Sequence, residues 1–170
     1  MYGACNHYLI RSMTNKPLAT KLTAYLELQQ VDYRLLMHRT PAISIEDAAT
    51  QRGIRQSQMV KAILLRDMGD LYALACVPGD QSVDPKKVRA VLACRRMTCV
   101  DLAAVERITG YQVGTVTPLL LKQPMPVLFD PQILHEAEIT ISSGSPLAGI
   151  ALSSKDLVTL CQPIFASICR

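Results

Sequence analysis

Two apolar runs separated by a short polar turn constrain the fold of this chain most strongly. The first run is Val60-Lys61-Ala62-Ile63-Leu64-Leu65-Arg66 and the second is Leu71-Tyr72-Ala73-Leu74-Ala75-Cys76-Val77. Between them lie Asp67, Gly69 and Asp70, which are residue types that favour turns. The pattern predicts two neighbouring strands of a β-hairpin, largely buried because both runs are almost wholly apolar.

Lys61 is a charged residue inside the first apolar run. Taking its ammonium group out of water is costly unless something compensates. One interpretation places Lys61 on an edge strand, from which its side chain reaches water. The other places it at a functional site, where partial burial would lower its pKa and let it position an ester or a phosphate. Composition favours the first interpretation, and the strand alone does not decide between them.

Helical and strand patterns follow one another irregularly around this hairpin. The spacing of apolar residues predicts helices that begin near residues 18, 44, 85, 101 and 153. Further strands are predicted at residues 31–37, 97–100, 126–129, 137–141 and 150–152. Because no steady βαβ order emerges, the sequence predicts an α+β fold, with a mixed, largely antiparallel β-sheet or barrel flanked by helices.

Length and composition favour a single folded domain. The chain has 170 residues, of which 49% are hydrophobic and 19% charged. Residues 1–15 lack a clear period and are predicted to form a loose arm, followed by one domain at residues 16–170. The net charge of +4 permits a polyanionic partner without requiring one. The basic face of the helix near residue 85 is equally compatible with simple solvation.

Cysteine and histidine spacing argues against a metal site. The six cysteines include no CxxC pair and the three histidines are scattered, so we expect no bound metal and no cofactor. No secretory signal pattern is evident, and no apolar run approaches the length of a membrane span. We therefore expect reduced thiols, a cytoplasmic location and no membrane partner.

Two loops of small residues are candidate ligand-binding segments. They are Gly114-Thr115-Val116-Thr117-Pro118 and Ser142-Ser143-Gly144-Ser145-Pro146. Both are more simply explained as ordinary turns, and neither matches a P-loop or a dinucleotide-binding pattern. Asp130 is either a carboxylate near a site or, more simply, a cap before Pro131.

The usual arrangements for nucleophilic catalysis are poorly supported. The sequence has no GxSxG elbow and no evident Cys/His pair. Cys76 lies in the middle of an apolar strand and is predicted to be a packing residue rather than a nucleophile.

The order of these elements resembles that of the YbaK family of aminoacyl-tRNA deacylases, which is related to the editing domain inserted in bacterial prolyl-tRNA synthetases. The resemblance covers roughly residues 16–162. It rests on the Lys61 strand, on the 114–118 loop, which is similar to the GxxxP loop of the family, and on the closing elements from Ile141 to Leu157. Thr115 and Gly149 depart from the family pattern, since some relatives carry a second glycine and an aspartate at these positions.

This resemblance implies a pocket that admits the aminoacyl 3′ end of tRNA. Lys61 is carried over as the catalytic lysine, which would orient the terminal nucleotide or its phosphate. The resemblance also implies these substrate-binding residues: Gly114, Thr115, Val116, Thr117, Pro118, Ser143, Gly144 and His38.

The implied function is that of a trans-editing deacylase acting on mischarged aminoacyl-tRNA. Its substrate would be tRNA-Pro or a related tRNA that carries a small wrong amino acid, and water would complete the hydrolysis without a protein nucleophile. The implied partner is aminoacyl-tRNA through its 3′ end, and a synthetase is a further candidate. Two alternatives stay open: a catalytically inactive module that binds tRNA or aminoacyl esters, and a cysteine-dependent hydrolase unrelated to tRNA.

Overall fold

The computed structural model describes residues 18–170, so the predicted arm and the first residues of the predicted domain lie outside the described part of the chain. Within residues 18–170 the chain forms five α-helices: α1 Lys21–Leu28, α2 Ile45–Arg52, α3 Pro85–Leu92, α4 Leu102–Thr109 and α5 Ser154–Cys161. The strands are β1 Tyr33–Met37, β2 Val60–Arg66, β3 Tyr72–Pro78, β4 Thr98–Cys99, β5 Val127–Phe129, β6 Glu138–Ser142, β7 Ala148–Ser153 and β8 Ile164–Phe165. Short 3-10 helices lie at Gln56–Gln58 and Pro131–His135.

The strands form two sheets. The small sheet has the order β1-β7-β6 and is antiparallel, whereas the large sheet has the order β4-β2-β3-β5-β8. In the large sheet β2 is antiparallel to β3 and β4, while β5 is parallel to both β3 and β8. A parallel bridge between Met59 and Thr140 links the start of β2 to β6. The predicted α+β class with a mixed, largely antiparallel sheet is confirmed.

The hairpin predicted from the two apolar runs is present. β2 and β3 pair in one continuous register from Val60–Pro78 to Arg66–Tyr72. Asp67 stabilises the turn, because its Oδ1 accepts hydrogen bonds from the backbone N–H groups of Gly69 at 2.8 Å and Leu71 at 3.2 Å. The turn chemistry in the sequence therefore fixes the register of these two strands.

Alternate residues of β2 contribute to two different cores. Leu64 lies in the main core, which also contains Ile141 and Ile150 of the small sheet. Leu65 lies in a second cluster with Val88 of α3. Because successive side chains of a strand point to opposite faces, the large sheet packs against the small sheet on one face and against α3 on the other.

Several local boundaries differ from the prediction; for example, β1 begins at Tyr33 rather than at residue 31, and β7 spans Ala148–Ser153 rather than residues 150–152. α1 begins at Lys21 rather than near Leu18, because Thr20 and Thr23 cap it reciprocally with hydrogen bonds of 3.3 and 2.9 Å. β8 was not expected, since two residues carry no detectable alternation, and it forms only by pairing with β5.

None of the helices formed by residues 18–170 is long and apolar enough to cross a lipid bilayer.

Candidate active site

Lys61 is the second residue of β2 and is partly exposed. Its backbone pairs with Val77 of β3, whereas β4 pairs with β2 only at Leu65 and Arg66. β2 is therefore an interior strand of the sheet. Near Lys61, however, it is paired with a neighbouring strand, β3, along only one edge. The Lys61 ammonium group makes no hydrogen bond or ion pair with any of residues 18–170. The side chain thus stands on a rigid strand with its charge free to contact a ligand.

The open side of β2 at Lys61 faces β6. β3 pairs along one edge of β2. The bridge between Met59 and Thr140 therefore lies along the other edge, where β4 pairs with β2 further along the strand. β2 and β6 run in the same direction from this bridge, and Lys61 and Ser142 are each two residues beyond it. The bridge is isolated, so β2 and β6 are not paired at Lys61, and β6 leads into the turn that contains Ser143 and Gly144.

Residues 143–146, which we call the cavity turn, are held by their own side chains. Ser143 is fully buried, and its hydroxyl donates to the carbonyl of Ala148 at 2.8 Å while accepting from the N–H of Ser145 at 3.2 Å. Gly144 has φ +86°, and a Cβ there would lie 3.3 Å from the Tyr111 ring. Ser143 is therefore committed to internal hydrogen bonds, and Gly144 is required both for its backbone conformation and for the close approach of Tyr111.

The 114–118 loop turns its side chains inward. Gly114 has φ +84°, and no atom lies within 4 Å of the position that a Cβ would take there. Thr115 and Thr117, in contrast, are almost fully buried. The Thr115 hydroxyl donates to the carbonyl of Gln112 at 2.8 Å, Val116 packs against the main core, and the Pro118 carbonyl accepts from Cys161 Sγ. The part of this loop that faces solvent is thus the backbone around Gly114, whereas the resemblance implied substrate binding by all five residues 114–118.

A cavity of about 470 Å³ lies between the cavity turn and the segment after α4. Ser143, Gly144 and Pro146 line one wall, and Tyr111 and Gln112 line the other. The residues that line this cavity do not include Lys61, His38 or any of residues 114–118. The structure therefore brings Ser143 and Gly144 together at one cavity, with Gly114 two residues beyond Gln112, and it does not place Lys61 in that cavity.

The Tyr111 wall of this cavity is rigid. The Tyr111 hydroxyl donates to the carbonyl of Leu119 at 2.6 Å, and burial raises the pKa of this phenol. Lys21 Nζ lies 4.1 Å from the centroid of the Tyr111 ring, within the range of a cation–π contact. The cavity lining includes both the Lys21 ammonium group and the Glu106 carboxylate, so it carries one charge of each sign.

His38 lies behind the cavity turn rather than in the cavity. Its imidazole Nδ1 is 2.7 Å from the carbonyl of Pro146, and its Nε2 accepts from Arg52 Nε at 3.0 Å. Its backbone N–H donates to the carbonyl of Leu147 at 2.8 Å. His38 is 8% exposed, so its contacts in this structure are with the turn and not with solvent.

The burial of His38 predicts a stability loss in mild acid. Desolvation lowers the pKa of His38 below 6.5, and the nearby Arg52 charge lowers it further. The hydrogen bond to the Pro146 carbonyl and the charge of Asp47 act in the opposite direction but do not outweigh these effects. Below pH 6.5 the unfolded state therefore binds more protons than the folded state, and stability falls with pH. We expect the melting temperature to drop more between pH 7.5 and 5.5 in the wild type than in His38→Gln. The exposed His135→Gln is the matched control, and an equal drop in the wild type and His38→Gln would contradict this assignment.

Three of the five thiols in residues 18–170, those of Cys76, Cys161 and Cys169, are poor candidates for nucleophiles. Burial raises the pKa of Cys76 well above its usual value and raises those of Cys161 and Cys169 to about 12. A thiolate is the reactive form, so these groups are unreactive at neutral pH. The packing role predicted for Cys76 agrees with its complete burial. Residues 18–170 contain no group of three or more His, Cys, Asp or Glu side chains that could hold a metal ion.

Sequence reasoning missed three residues around this site: Lys21, Arg52 and Tyr111. Lys21 and Arg52 lie in the helices predicted to begin near residues 18 and 44, and Tyr111 follows Gly110 in the sequence. Nothing in their local sequence signals these roles, because each depends on contact with a distant segment.

A family model described as an aminoacyl-tRNA editing domain matches residues 40–160 of the chain. The Enterococcus faecalis protein named "Putative Cys-tRNA(Pro)/Cys-tRNA(Cys) deacylase EbsC" is 25% identical over 126 residues, which are 74% of this chain and 77% of that protein. A proline–tRNA ligase of Geobacter metallireducens is 35% identical over 79 residues, which are 46% of this chain and 14% of the ligase.

Solved structures share the fold. One described as a "putative trans-editing enzyme for prolyl tRNA synthetase" has a TM-score of 0.78 at 20% identity, covering 90% of this chain and 99% of that chain. A hypothetical protein has a TM-score of 0.82 at 21% identity, covering 89% of this chain and 100% of that chain. These structures show the fold alone, while the family model spans well over half of the chain. The resemblance predicted from the sequence is confirmed, and the chain belongs to the aminoacyl-tRNA editing domain family.

Proposed function

We propose that this protein is a trans-editing deacylase that hydrolyses the ester bond of mischarged aminoacyl-tRNA. The observation that carries the proposal is Lys61, a lysine within a largely apolar strand that makes no hydrogen bond or ion pair with residues 18–170, in a chain of the editing family. The names of the relatives support tRNA-Pro, or a related tRNA, carrying a small wrong amino acid. The aminoacyl 3′ end would be the part of the tRNA that enters the site.

The proposed reaction needs no protein nucleophile. A water oxygen attacks the ester carbonyl carbon, the bond from that carbon to the ribose oxygen breaks, and the ribose oxygen takes up a proton. Ser143 and Thr115 are committed to internal hydrogen bonds, and burial holds the pKa of Cys76 and Cys161 high. Lys61 would hold the terminal nucleotide or its phosphate, and the backbone of Gly114 would hold the ester. Positioning of this kind supplies much of the rate of a hydrolysis.

Such a site has a clear physical purpose. A synthetase pocket discriminates weakly against an amino acid that is slightly smaller than the correct one, because one methylene changes binding by only about 1–3 kcal/mol. A second site that hydrolyses the wrong ester corrects the remaining errors. The rigid walls formed by the cavity turn and Tyr111 suit selection by size.

The charge distribution supports a polyanionic substrate. Five of the eighteen Lys and Arg residues lie within residues 86–96, a segment without acidic residues, so the rest of the chain carries one more negative than positive side chain. Lys86, Arg89, Arg95 and Arg96 are exposed, and Lys87 Nζ donates to the carbonyl of Cys169. α3 covers the face of the large sheet that Lys61 shares with Leu65, so this basic segment and Lys61 lie on one side of the large sheet.

Neutralising part of the basic segment is expected to weaken tRNA binding. Lys86→Ala/Arg89→Ala should raise the Kd for tRNA and reduce the slope of log Kd against log salt by about 1 per lost phosphate contact. Hydrolysis of a 3′-aminoacyl adenosine ester should be unchanged, because that substrate lacks the tRNA backbone. Arg39→Ala/Lys155→Ala removes the same charge from other exposed positions and is the control. An equal salt slope in both double variants would contradict a phosphate-binding role for α3.

A panel of mischarged tRNAs tests the proposed function and its substrate. We expect release of small wrong amino acids from tRNA-Pro and little release of proline from correctly charged tRNA-Pro. Folded protein that hydrolyses none of the panel would contradict the proposal. Tight, salt-dependent tRNA binding without turnover would favour the inactive binding module.

A further inference from the structure

Arg52 is a partly buried cation without an acidic partner. It ends α2 and donates from Nε to His38 Nε2 and from Nη1 to Thr140 Oγ1, each at 3.0 Å. Among residues 18–170, no carboxylate lies within ion-pair distance of its guanidinium. Burial lowers the pKa of Arg52 to about 10, which leaves it charged at neutral pH. Because burying a charge with only neutral acceptors is costly, the position requires a specific explanation.

Gly149 leaves the space that the guanidinium occupies. It lies in β7, the central strand of the small sheet, between Leu36 of β1 and Ser142 of β6. A Cβ at this position would lie 2.3 Å from Arg52 Cζ and Nε, and 2.8 Å from Nη1. A glycine in a central strand weakens the strand unless something must approach its backbone closely, and here the guanidinium does.

Arg52 also decides which nitrogen of His38 carries the proton. Since Arg52 Nε–H donates to His38 Nε2, that nitrogen must be the acceptor of a neutral imidazole. The proton then lies on Nδ1, which donates to the carbonyl of Pro146 at 2.7 Å. The backbone N–H of Ala42 donates to the same carbonyl at 3.1 Å. Pro146 lines the cavity together with Ser143 and Gly144, so the contacts run from Arg52 through His38 to the cavity wall.

We propose that Arg52 is a positioning residue for the proposed deacylation, which fixes the cavity turn through the His38 imidazole and the Pro146 carbonyl, and that Gly149 is required because it admits the Arg52 guanidinium. The proposal rests on the proposed function for its effect on rate. Its structural part, the coupling of Arg52, His38 and Gly149, is measurable without activity.

A double-mutant cycle tests this coupling. Arg52→Ala and Gly149→Ala are each expected to lower kcat/KM about 10-fold for the best mischarged tRNA of the panel, since both remove the same contact. Gly149→Ala should have little further effect in the Arg52→Ala background, where no guanidinium is left to displace. Arg55→Ala is the matched control, because Arg55 is exposed and pairs with Glu136 at 2.9 Å away from the cavity turn. It should retain the wild-type rate.

NMR of the His38 imidazole supplies a readout that a general loss of stability would not move. In the wild type we expect the tautomer with the proton on Nδ1, and in Arg52→Ala we expect the tautomer mixture to shift and the apparent pKa of His38 to rise. Additive effects of the two substitutions on kcat/KM, or an unchanged His38 spectrum in Arg52→Ala, would overturn the proposal. A wild-type rate in Arg52→Ala would also overturn it while leaving the proposed function intact. If the wild type hydrolyses no ester, the proposed function fails, and the same cycle measured on unfolding free energy decides the coupling.

Discussion

Replacing Lys61 with alanine is expected to reduce kcat/KM for deacylation on the order of 100-fold, because a small misplacement of the substrate can cost this much rate. The ammonium group makes no hydrogen bond or ion pair with residues 18–170 that the protein would lose, so the melting temperature should stay close to that of the wild type. A large loss of rate without loss of stability is the signature of a group that acts on substrate. Single-turnover hydrolysis of the best substrate and thermal unfolding measure the two quantities.

Two further variants sharpen this expectation. Lys61→Arg keeps the charge but presents a planar, forked group, and it should recover only part of the rate. Lys155→Ala removes an exposed lysine from the first turn of α5 and should leave the rate unchanged. If Lys61→Ala hydrolyses ester at the wild-type rate, the lysine is a solvent-exposed strand residue, as the simpler interpretation of the sequence had it.

Replacing Asp130 with alanine is expected to produce the largest loss of stability, about 3 kcal/mol or more. Asp130 is 1% exposed and accepts from three backbone N–H groups: Gln132 at 3.0 Å, Ile168 at 2.8 Å and Cys169 at 3.0 Å. The predicted capping role before Pro131 is therefore confirmed, and the carboxylate also holds the C-terminal segment. Alanine would leave buried donors without a partner, which costs more than the loss of an exposed hydrogen bond.

Urea unfolding measures this effect, with Asp101→Ala as the matched control. Asp101 caps α4 through one exposed N–H, so its loss should cost only about 1 kcal/mol. Burial raises the pKa of Asp130, but the three backbone hydrogen bonds outweigh it and leave the pKa below its usual value. Its contribution is therefore present above about pH 4 and is lost as the pH falls through the folded-state pKa. Equal losses in Asp130→Ala and Asp101→Ala would contradict this account.

The elements that sequence reasoning predicted are those whose signals are local. Ser44, Asp84 and Asp101 each cap the helix that follows them, and Gly53 and Gly110 end two helices in the left-handed conformation. The hairpin was predicted because both of its strands and its turn lie within residues 60–77. The packing of one sheet against the other was not predictable, since the bridge between Met59 and Thr140 joins segments far apart in sequence.

The site was predictable only in part for the same reason. Lys61 and Gly114 stand out as a charge in an apolar run and a glycine in a short loop. The role of His38 did not, because its imidazole contacts Pro146, 108 residues away in the sequence. Gly149 looked like a departure from the family pattern, and only the contact with Arg52 explains it. The inward orientation of Thr115 and Thr117 was equally hidden, since sequence does not show which hydroxyls a loop buries.

Single-turnover hydrolysis of tRNA-Pro charged with alanine or cysteine, with the protein in excess, tests the central claim most directly. We predict that the wild type clears at least one of these esters much faster than it hydrolyses spontaneously, and that Lys61→Ala loses most of this acceleration. Loss of ester at the spontaneous rate in the presence of folded wild-type protein would contradict the account.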